Sequence, residues 1–554
     1  MPVLTGIDVL GIQRYVFASN RLRDVLAASW MVRHVTEQTT LCQINPHPQS
    51  TLLAAGGNAI LEFANLVEAK QWTARYTRRL LEEAPGLEVA LVHLEYAPGK
   101  LAAALKALAI RLARAKLQRR PHAPQLGLGV TAACSITGQP ATTLDRKEGA
   151  PLSLQIQRLR DNQVQQEALA RWDQFLQDLV LQHASCWTPQ FPQDLDRMGR
   201  TFGETSLVGV VHVDGNGVGQ AITAWLERCI DEELDDDTVR EQYEEWSDAI
   251  DKLGRSVLQA IVQRVADCVV AKKDSSGQGR PKLCGTPPKL GFPLCEFSDP
   301  QTPHSVFLPL RPILLGGDDL TLVCDGRIAL DLAATALREF ETPSIPHLGE
   351  GGKELKLTAC AGVALVRAHA PFYRSYQLAE SLCTSAKRTR RKQNQELGTE
   401  TGGWLDWHLG PARPGEAIHE LRDREYQNQN GCLTMRPYPL RAIVGRGESW
   451  EWFDQQLLGP GLQGAARQGF RGMPVWVESR NRIKRLGTLV VEGGGAVARQ
   501  LAAWRTIEKG ISLPGGLPDS GFPTEKTPLL DAVELLDVHM RLEPGAETDR
   551  NPPA

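Results

Sequence analysis

The chain has no Cys-x-x-Cys pair among its eleven cysteines, so the ligand spacing of a structural zinc module is missing. Cys284 and Cys295 bracket a Gly/Pro-rich stretch, but two cysteines alone do not complete a tetrahedral site, and zinc is not expected. The cysteines form no framework either, which suits reduced thiols in a reducing compartment. No apolar run approaches the ~20 residues needed to cross a bilayer, and no signal-peptide pattern opens the chain. A cytoplasmic protein without a membrane partner is expected. An excess of one charge is also lacking: 62 Lys+Arg face 65 Asp+Glu, a net charge of −3. The chain as a whole is therefore no basic nucleic-acid binder, and RNA contact would have to come from local patches such as Lys116–Arg120 and Lys387–Lys392. The acidic run Asp231–Asp237 reads as a solvated loop and helix start rather than a metal site.

At 554 residues, 42% hydrophobic and 23% charged, the chain is an ordinary globular composition long enough for three to four domains. Its most informative stretch is Ile313–Cys324. Two apolar runs of strand length flank Gly316-Gly317-Asp318-Asp319, which predicts a β-hairpin with adjacent carboxylates at its tip. Glycines there allow positive φ and close approach of a ligand. Adjacent carboxylates repel unless a cation joins them, and a hard divalent ion under a phosphate ester answers that demand. A plain polar turn has the same residue types, so a third partner is needed.

That partner lies about a hundred residues earlier. Leu207–Val213 is an apolar strand ending at Asp214, followed by Gly215-Asn216-Gly217-Val218-Gly219 and a helix-compatible run from Gln220 to Ile230. A Gly-rich turn between strand and helix cradles phosphate with free N–H groups. A dinucleotide fold shares that feature, but Asp214 would repel a pyrophosphate arriving without metal. Asp214, Asp318 and Asp319 together make sense as ligands of one or two Mg²⁺ (or Mn²⁺) ions under a nucleoside triphosphate. Gly316, Gly317, Gly215, Asn216 and Gly217 would receive the nucleotide. A helix (Asp325 to Phe340), a strand (Leu355 to Val366) and a second helix (Pro371 to about Lys392) follow. That last helix has an apolar face of Tyr376, Ala379, Leu382, Cys383 and Ala386, beside which Lys387 would reach triphosphate oxygens. The basic run at its end equally suits a solvated helix C-terminus. The order of elements is that of a palm-type nucleotidyltransferase or nucleotide cyclase.

The pattern occurs twice. Leu52–Phe63 repeats the hairpin with Asn58 and Ala59 where the two aspartates stand. A strand ending near Asp8 and Val9 precedes it, and a helix (Ala64 to Glu83), a strand (Leu87 to Tyr96) and a helix (Lys100 to Arg120) follow. Lys116 and its basic tail echo Lys387. Asp8 to Asn58 is 50 residues and Asp214 to Asp318 is 104, an excess filled by an acidic segment, a long helical pattern and a Gly/Pro-rich insertion over 231–303. Without a carboxylate pair the first copy reads as a degenerate palm, useful for packing and for a second nucleotide.

Val211–Gly217, Arg311–Asp319, Cys360–Ala364 and the Leu378-Ala379-Glu380 to Ala386-Lys387 helix resemble the palm of the large subunit of type III CRISPR effector complexes, CRISPR-associated protein ten. Gly11–Arg23 is similar to the first palm of that family. The resemblance implies an α+β fold: two ferredoxin-like palms, a helical connector and a helical C-terminal domain. It also implies synthesis of cyclic oligoadenylate messengers from ATP in antiviral defence, alongside other complex subunits and guide or target RNA. Larger members carry a nuclease domain marked by adjacent His-Asp ligands; no His-Asp dipeptide occurs here, and DNA cleavage by this polypeptide is not expected. A GTP-using cyclic dinucleotide synthase and a non-catalytic nucleotide-binding scaffold are the alternatives.

The expected boundaries are a first palm over 1–135, a connector over 136–200 including helical Leu154–Cys186, and the catalytic palm over 201–395. A mainly helical domain over 396–540 and a disordered tail over 541–554 complete the chain. Ser19 or Asn20 is expected to cap a helix exposing Arg21 and Arg23, which could touch nucleotide or RNA. Trp404–His408 and Leu433–Tyr438 have no chemical assignment.

Overall fold

The computed structural model of the chain describes residues 1–118, 131–145, 147–180, 188–198, 207–273, 279–299, 302–413, 415–459 and 468–543. Arg119 and Arg120, Cys186 with the end of the expected connector helix, and the tail from 544 lie outside the described residues.

The first palm runs β1 (Val3–Leu10), α1 (Ile12–Val16), α2 (Leu22–His34), β2 (Ser50–Ala55), β3 (Asn58–Phe63), α3 (Leu66–Glu83), β4 (Glu88–Glu95) and α4 (Leu101–Gln118). Its sheet has the order β2-β3-β1-β4. Two helices, α5 (Leu154–Leu159) and α6 (Asn162–Val180), form the connector. The second palm runs β5 (Leu207–Gly215), α7 (Val218–Asp231), α8 (Asp236–Ala266), β6 (Leu310–Leu315), β7 (Asp319–Asp325), α9 (Ala329–Phe340), β8 (Ala359–Arg367) and α10 (Phe372–Leu397). Strands β6-β7-β5-β8 repeat the order of the first sheet. The protein is thus an α+β chain with two palms, and each sheet reads as two hairpin-paired strands beside a central strand.

The second sheet does not stop at residue 395. β9 (Trp404–Leu409) joins parallel to β8, and β10 (Tyr438–Pro439) pairs with β9. The alternation of Trp404, Asp406 and His408 hid this strand, because both its faces are buried: Asp406 is 0% exposed and pairs with Arg422. Beyond it α11 (Ile418–Glu425), α12 (Arg480–Glu492), α13 (Gly494–Ile507) and α14 (Leu529–Leu535) supply the helical C-terminal part. Arg541 and Leu542, placed in the expected tail, pair with Thr286 and Gly285.

Helix α10 is the spine of the second palm. It ends five residues later than expected, at Leu397, where Gly398 takes φ of 65° as a left-handed cap. The basic run is therefore mid-helix, with Arg390 paired to Glu400 and Lys392 to Glu396. α10 lies directly on β8 because Gly362 has no Cβ; one placed there would sit 2.0 Å from the Ala379 carbonyl oxygen.

Residues 13–20 of the first palm run antiparallel along α10, one turn per contact. Asn20 Oδ1 accepts from the Phe372 N–H at 2.9 Å, Phe17 stacks on Tyr376 at 4.2 Å, and Gln13 Nε2 donates to Glu380 Oε1 at 2.8 Å. Asn20 therefore caps a helix of the other palm, at about 1 kcal/mol for such a cap, while its own helix α2 has Arg21 as N-cap residue. The exposed Arg21 pairs with Glu148. The favour is returned: Asp236, in the acidic run, accepts from the N–H groups of Gly99 (2.7 Å) and Leu101 (2.8 Å) at the start of α4.

The long helix α8 buttresses the hairpin β6–β7. A Cβ on Gly254 would lie 2.4 Å from the Gly317 carbonyl oxygen, and one on Gly317 (φ 85°) would lie 2.9 Å from Ile250 Cγ2. On the hairpin's other flank the first palm's Gly56 comes within van der Waals reach of Gly316. Replacing a mid-helix glycine by alanine ordinarily stabilises by about 0.5–1 kcal/mol. Gly254→Ala is expected to do the reverse, losing about 1–3 kcal/mol through overpacking; urea unfolding of the variant beside the parent reads the sign.

Candidate active site at the palm hairpin

The site forms where β5 and β7 end together. Their antiparallel register sets Asp214 opposite Asp319, and the Gly215 N–H donates to the Asp318 carbonyl at 2.8 Å. The hairpin closes as Gly316 N donates to Asp319 O at 2.8 Å, leaving Gly317 and Asp318 as the two central turn residues. Positive φ is needed at Gly317 and not at Asp318, as in a hairpin turn with glycine first. Gly317 is buried under α8 and Gly316 is exposed, so the close approach expected of both glycines is taken at Gly317 by protein.

The three carboxylates are poorly compensated. Burial, then the charges of Asp214 and Asp319, push the Asp318 carboxyl up to about 6. Burial, then Asp214, push that of Asp319 up to about 7. Asp319 is not sealed as a whole: its side chain is 44% exposed, while its Oδ1 is buried with no hydrogen-bond partner. The His212 Nδ1 stands 3.5 Å from that oxygen, but burial lowers the His212 pKa and keeps the ring neutral. Among the described residues the one cation in contact is Lys387, whose Nζ lies 2.7 Å from Asp214 Oδ2 and donates to the Gly215 carbonyl at 2.7 Å. An orphaned carboxylate oxygen beside two further carboxylates is a donor set that fits a hard divalent ion.

The turn after β5 serves two ends. Asn216 is 8% exposed and is spent on the fold: its N–H donates to the Thr358 carbonyl at 2.8 Å and its Nδ2 to Thr358 Oγ1 at 3.0 Å. Gly217 (φ 77°) is the N-cap residue of α7, with no side-chain cap. The first-turn N–H groups of α7 thus stand beside Asp214, a helix N-terminus of the sort that receives phosphate.

The first palm keeps part of this arrangement. Asp8 stands opposite Asn58 and pairs with Lys116, as Asp214 stands opposite Asp319 and pairs with Lys387. Both hairpins have a bulge at the same place, between Thr51 and Leu53 and between Pro312 and Leu314. Counting from that bulge puts Gly57 at the place of Asp318 and Asn58 at that of Asp319. The Gly-Gly alignment, which matched Asn58 and Ala59 to the aspartates, is off by one because the turn of the first hairpin begins one residue earlier. Ala59 is a strand residue opposite Ile7.

Sequence reasoning passed over His212, Glu380 and Cys383. His212 is two residues from Asp214 on a strand, and Cys383 is four from Lys387 on a helix. Each spacing returns to the same face, so both could have been placed beside the Asp214–Lys387 pair.

Carboxylates held protonated by burial lose that protection as pH rises. With the Asp319 carboxyl raised from an ordinary 3.8 to about 7, its contribution to stability is complete below pH ~4 and lost by pH ~7. Asp319→Asn is therefore expected to melt above the parent at pH 8, with the difference shrinking toward pH 4. Mg²⁺ is expected to raise the melting temperature of the parent at pH 8 and not that of the variant.

Residues 207–395 match the family model for Cas10/Cmr2, second palm domain. No curated protein sequence matches the chain. Among solved structures the chain is similar to one of the Csm1–Csm4 cassette in complex with AMPPNP, at 13% identity over 97% of this chain and 69% of that one, with a TM-score of 0.50. It is also similar to Csm1 in T. onnurineus (14% identity, 97% and 69% covered, TM-score 0.48). A Csm1–Csm4 subcomplex of the type III-A CRISPR–Csm interference complex is a third (13%, 97% and 70%, TM-score 0.48). At such identities the likeness is one of fold, and it spans both palms and the C-terminal part. Residues 207–395 are thus similar to the second palm of Cas10/Cmr2, and the chain around them shares the fold of the Csm1–Csm4 cassette structure.

Proposed function

We propose that the chain is a Mg²⁺-dependent nucleotidyltransferase that joins ATP into oligoadenylate, cyclic or linear, as a nucleotide-handling subunit of a type III CRISPR complex. The single observation that carries this reading is the carboxylate trio. Asp214 and Asp319 face each other across adjacent strands beside Asp318, and the first palm shows how a hairpin of the same pairing looks without it. Asp214, Asp318 and Asp319 would hold the metal, with Mn²⁺ able to replace Mg²⁺. The bound ion would polarise the transferring phosphoryl group and neutralise charge on it.

The chain's own residues supply the rest. Exposed Gly316 lets a base or ribose lie against the hairpin. Gly215 and Gly217 bend the chain so that the open N–H groups of α7 meet the phosphates. Lys387, now on Asp214 and the Gly215 carbonyl, would be within reach of phosphate oxygens, and its position two turns beyond Glu380 on α10 keeps it over the β5 end. The ligand named for a structure of the same fold, AMPPNP, supports adenine nucleotides over GTP. The Csm1–Csm4 cassette of the same fold supports a neighbouring subunit in the place of Csm4; guide and target RNA are part of the proposal on the resemblance of the palm motifs alone. Among the described residues no helix is long and apolar enough to cross a membrane.

Incubation with labelled ATP and Mg²⁺ is expected to yield oligoadenylate, resolved by mass. An Asp318→Ala/Asp319→Ala variant should lose at least about a hundredfold in rate, the scale of several kcal/mol of lost transition-state stabilisation. Product from GTP alone would replace the substrate. Nucleotide bound without turnover, even with partner subunits and target RNA added, would leave a scaffold.

A further inference from the structure

His212 and Asp214 lie on one face of β5, two residues apart, and Cys383 comes down on them from α10. Each brings one donor atom, a ring nitrogen, a carboxylate oxygen and a thiol sulfur, and these atoms all lie within 4.8 Å of one another. We propose that His212, Asp214 and Cys383 form a second metal site, for a thiophilic divalent ion of the Zn²⁺ class, that shares Asp214 with the Mg²⁺ site and so competes with it.

The donor set decides the class of ion. Mg²⁺ takes oxygen ligands and holds its waters, whereas imidazole with thiolate selects Zn²⁺, Co²⁺ or Cu⁺. His212 is 5% exposed and stands with a ring nitrogen toward the Asp214 carboxylate and the Cys383 sulfur. Its Nδ1 is 3.0 Å from Thr321 Oγ1, and the Tyr376 ring stands edge-on to it with centroids 5.6 Å apart. Such partners hold an imidazole in one orientation, as is usual for ligating histidines. Cys383 is 2% exposed, with Sγ 3.2 Å from the Cys360 carbonyl oxygen. On ligation the Cys383 S–H bond breaks, the proton passes to solvent and the sulfur binds as thiolate, so binding releases one proton. Asp214, with a side chain 40% exposed, is the way in, and water would fill the fourth position of a tetrahedral ion.

Lys387 is the incumbent. Its ammonium sits on Asp214, and an ion at the new site must displace it. The ion would then turn Asp214 toward the interior, away from Asp318 and Asp319, and inhibit. That last consequence rests on the proposed role of Asp214 in holding Mg²⁺; the binding of the thiophilic ion does not.

Co²⁺ is the probe, titrated into the metal-free full-length protein. A near-ultraviolet thiolate-to-Co²⁺ charge-transfer band saturating at one ion per chain is expected, lost on adding Zn²⁺. Cys383→Ser should abolish the band and His212→Gln should weaken Co²⁺ binding about tenfold or more. Lys387→Ala should tighten it, a gain that no folding defect would mimic. The Asp318→Ala/Asp319→Ala variant should keep the band. Absence of the band in the parent, or its survival in Cys383→Ser, would overturn the site. Calorimetric Mg²⁺ binding to Zn²⁺-loaded protein tests the sharing: weakened binding supports it, and unchanged affinity with the band intact would overturn the competition alone.

Discussion

Asp214 and Asp319 face each other across adjacent antiparallel strands, and the fold holds this repulsive pair in place. Left alone, like charges at the ends of paired strands would fray the ladder or slip its register. Here neither strand can move. β5 is central, with β7 and β8 on either side, and the hairpin tip that carries Asp318 is caught between α8 and the hairpin of the first palm. The strain appears as raised carboxyl pKa values and an orphaned Asp319 oxygen, and a cation would relieve both. Carboxylates poised near neutrality by burial and mutual repulsion are what a functional site looks like electrostatically.

The duplicated palm explains how the clamp is built. Each palm has an open hairpin edge, and the two hairpins meet tip to tip at Gly56 and Gly316. The helices that carry Lys116 and Lys387 begin at N–H groups satisfied from the opposite palm, by Asp236 and Asn20 respectively. Aromatic stacking of Phe17 on Tyr376 adds about 0.5–1.5 kcal/mol beyond its burial. The segment Gly11–Arg23 joins the palms: Phe17 and Asn20 face α10, and Arg21 meets Glu148.

Most of the α+β framework was legible because its elements are apolar runs of clear period bounded by glycine and charge. Leu207–Val213, the two hairpins and the helices after them could be placed within a few residues. The contacts between distant segments were not legible. Nothing local in Trp404–Leu409 shows that it extends the palm sheet, since its Asp406 and His408 resemble a solvated face and are buried by pairing with Arg422 and by the C-terminal helices. Nor does the helical pattern of 236–266 reveal that Gly254 is the seat of the Gly317 turn. The pairing of Asn58 with Asp8 escaped for a related reason, because a bulge fixes the register and bulges leave little trace in composition.

The two palms differ less in shape than in charge, and that difference supports the proposal of one active site. In the first palm one carboxylate, Asp8, meets one ammonium, Lys116, and the position facing Asp8 is the neutral Asn58. The account is closed there without any ion. In the second palm three carboxylates share, among the described residues, the ammonium of Lys387, with Glu380 close enough to raise Asp319 further. A strand pair of identical register and turn length thus becomes a neutral joint in one copy and an anionic cradle in the other. Each unpaired buried carboxylate costs stability, and the second palm carries all three where the first carries one.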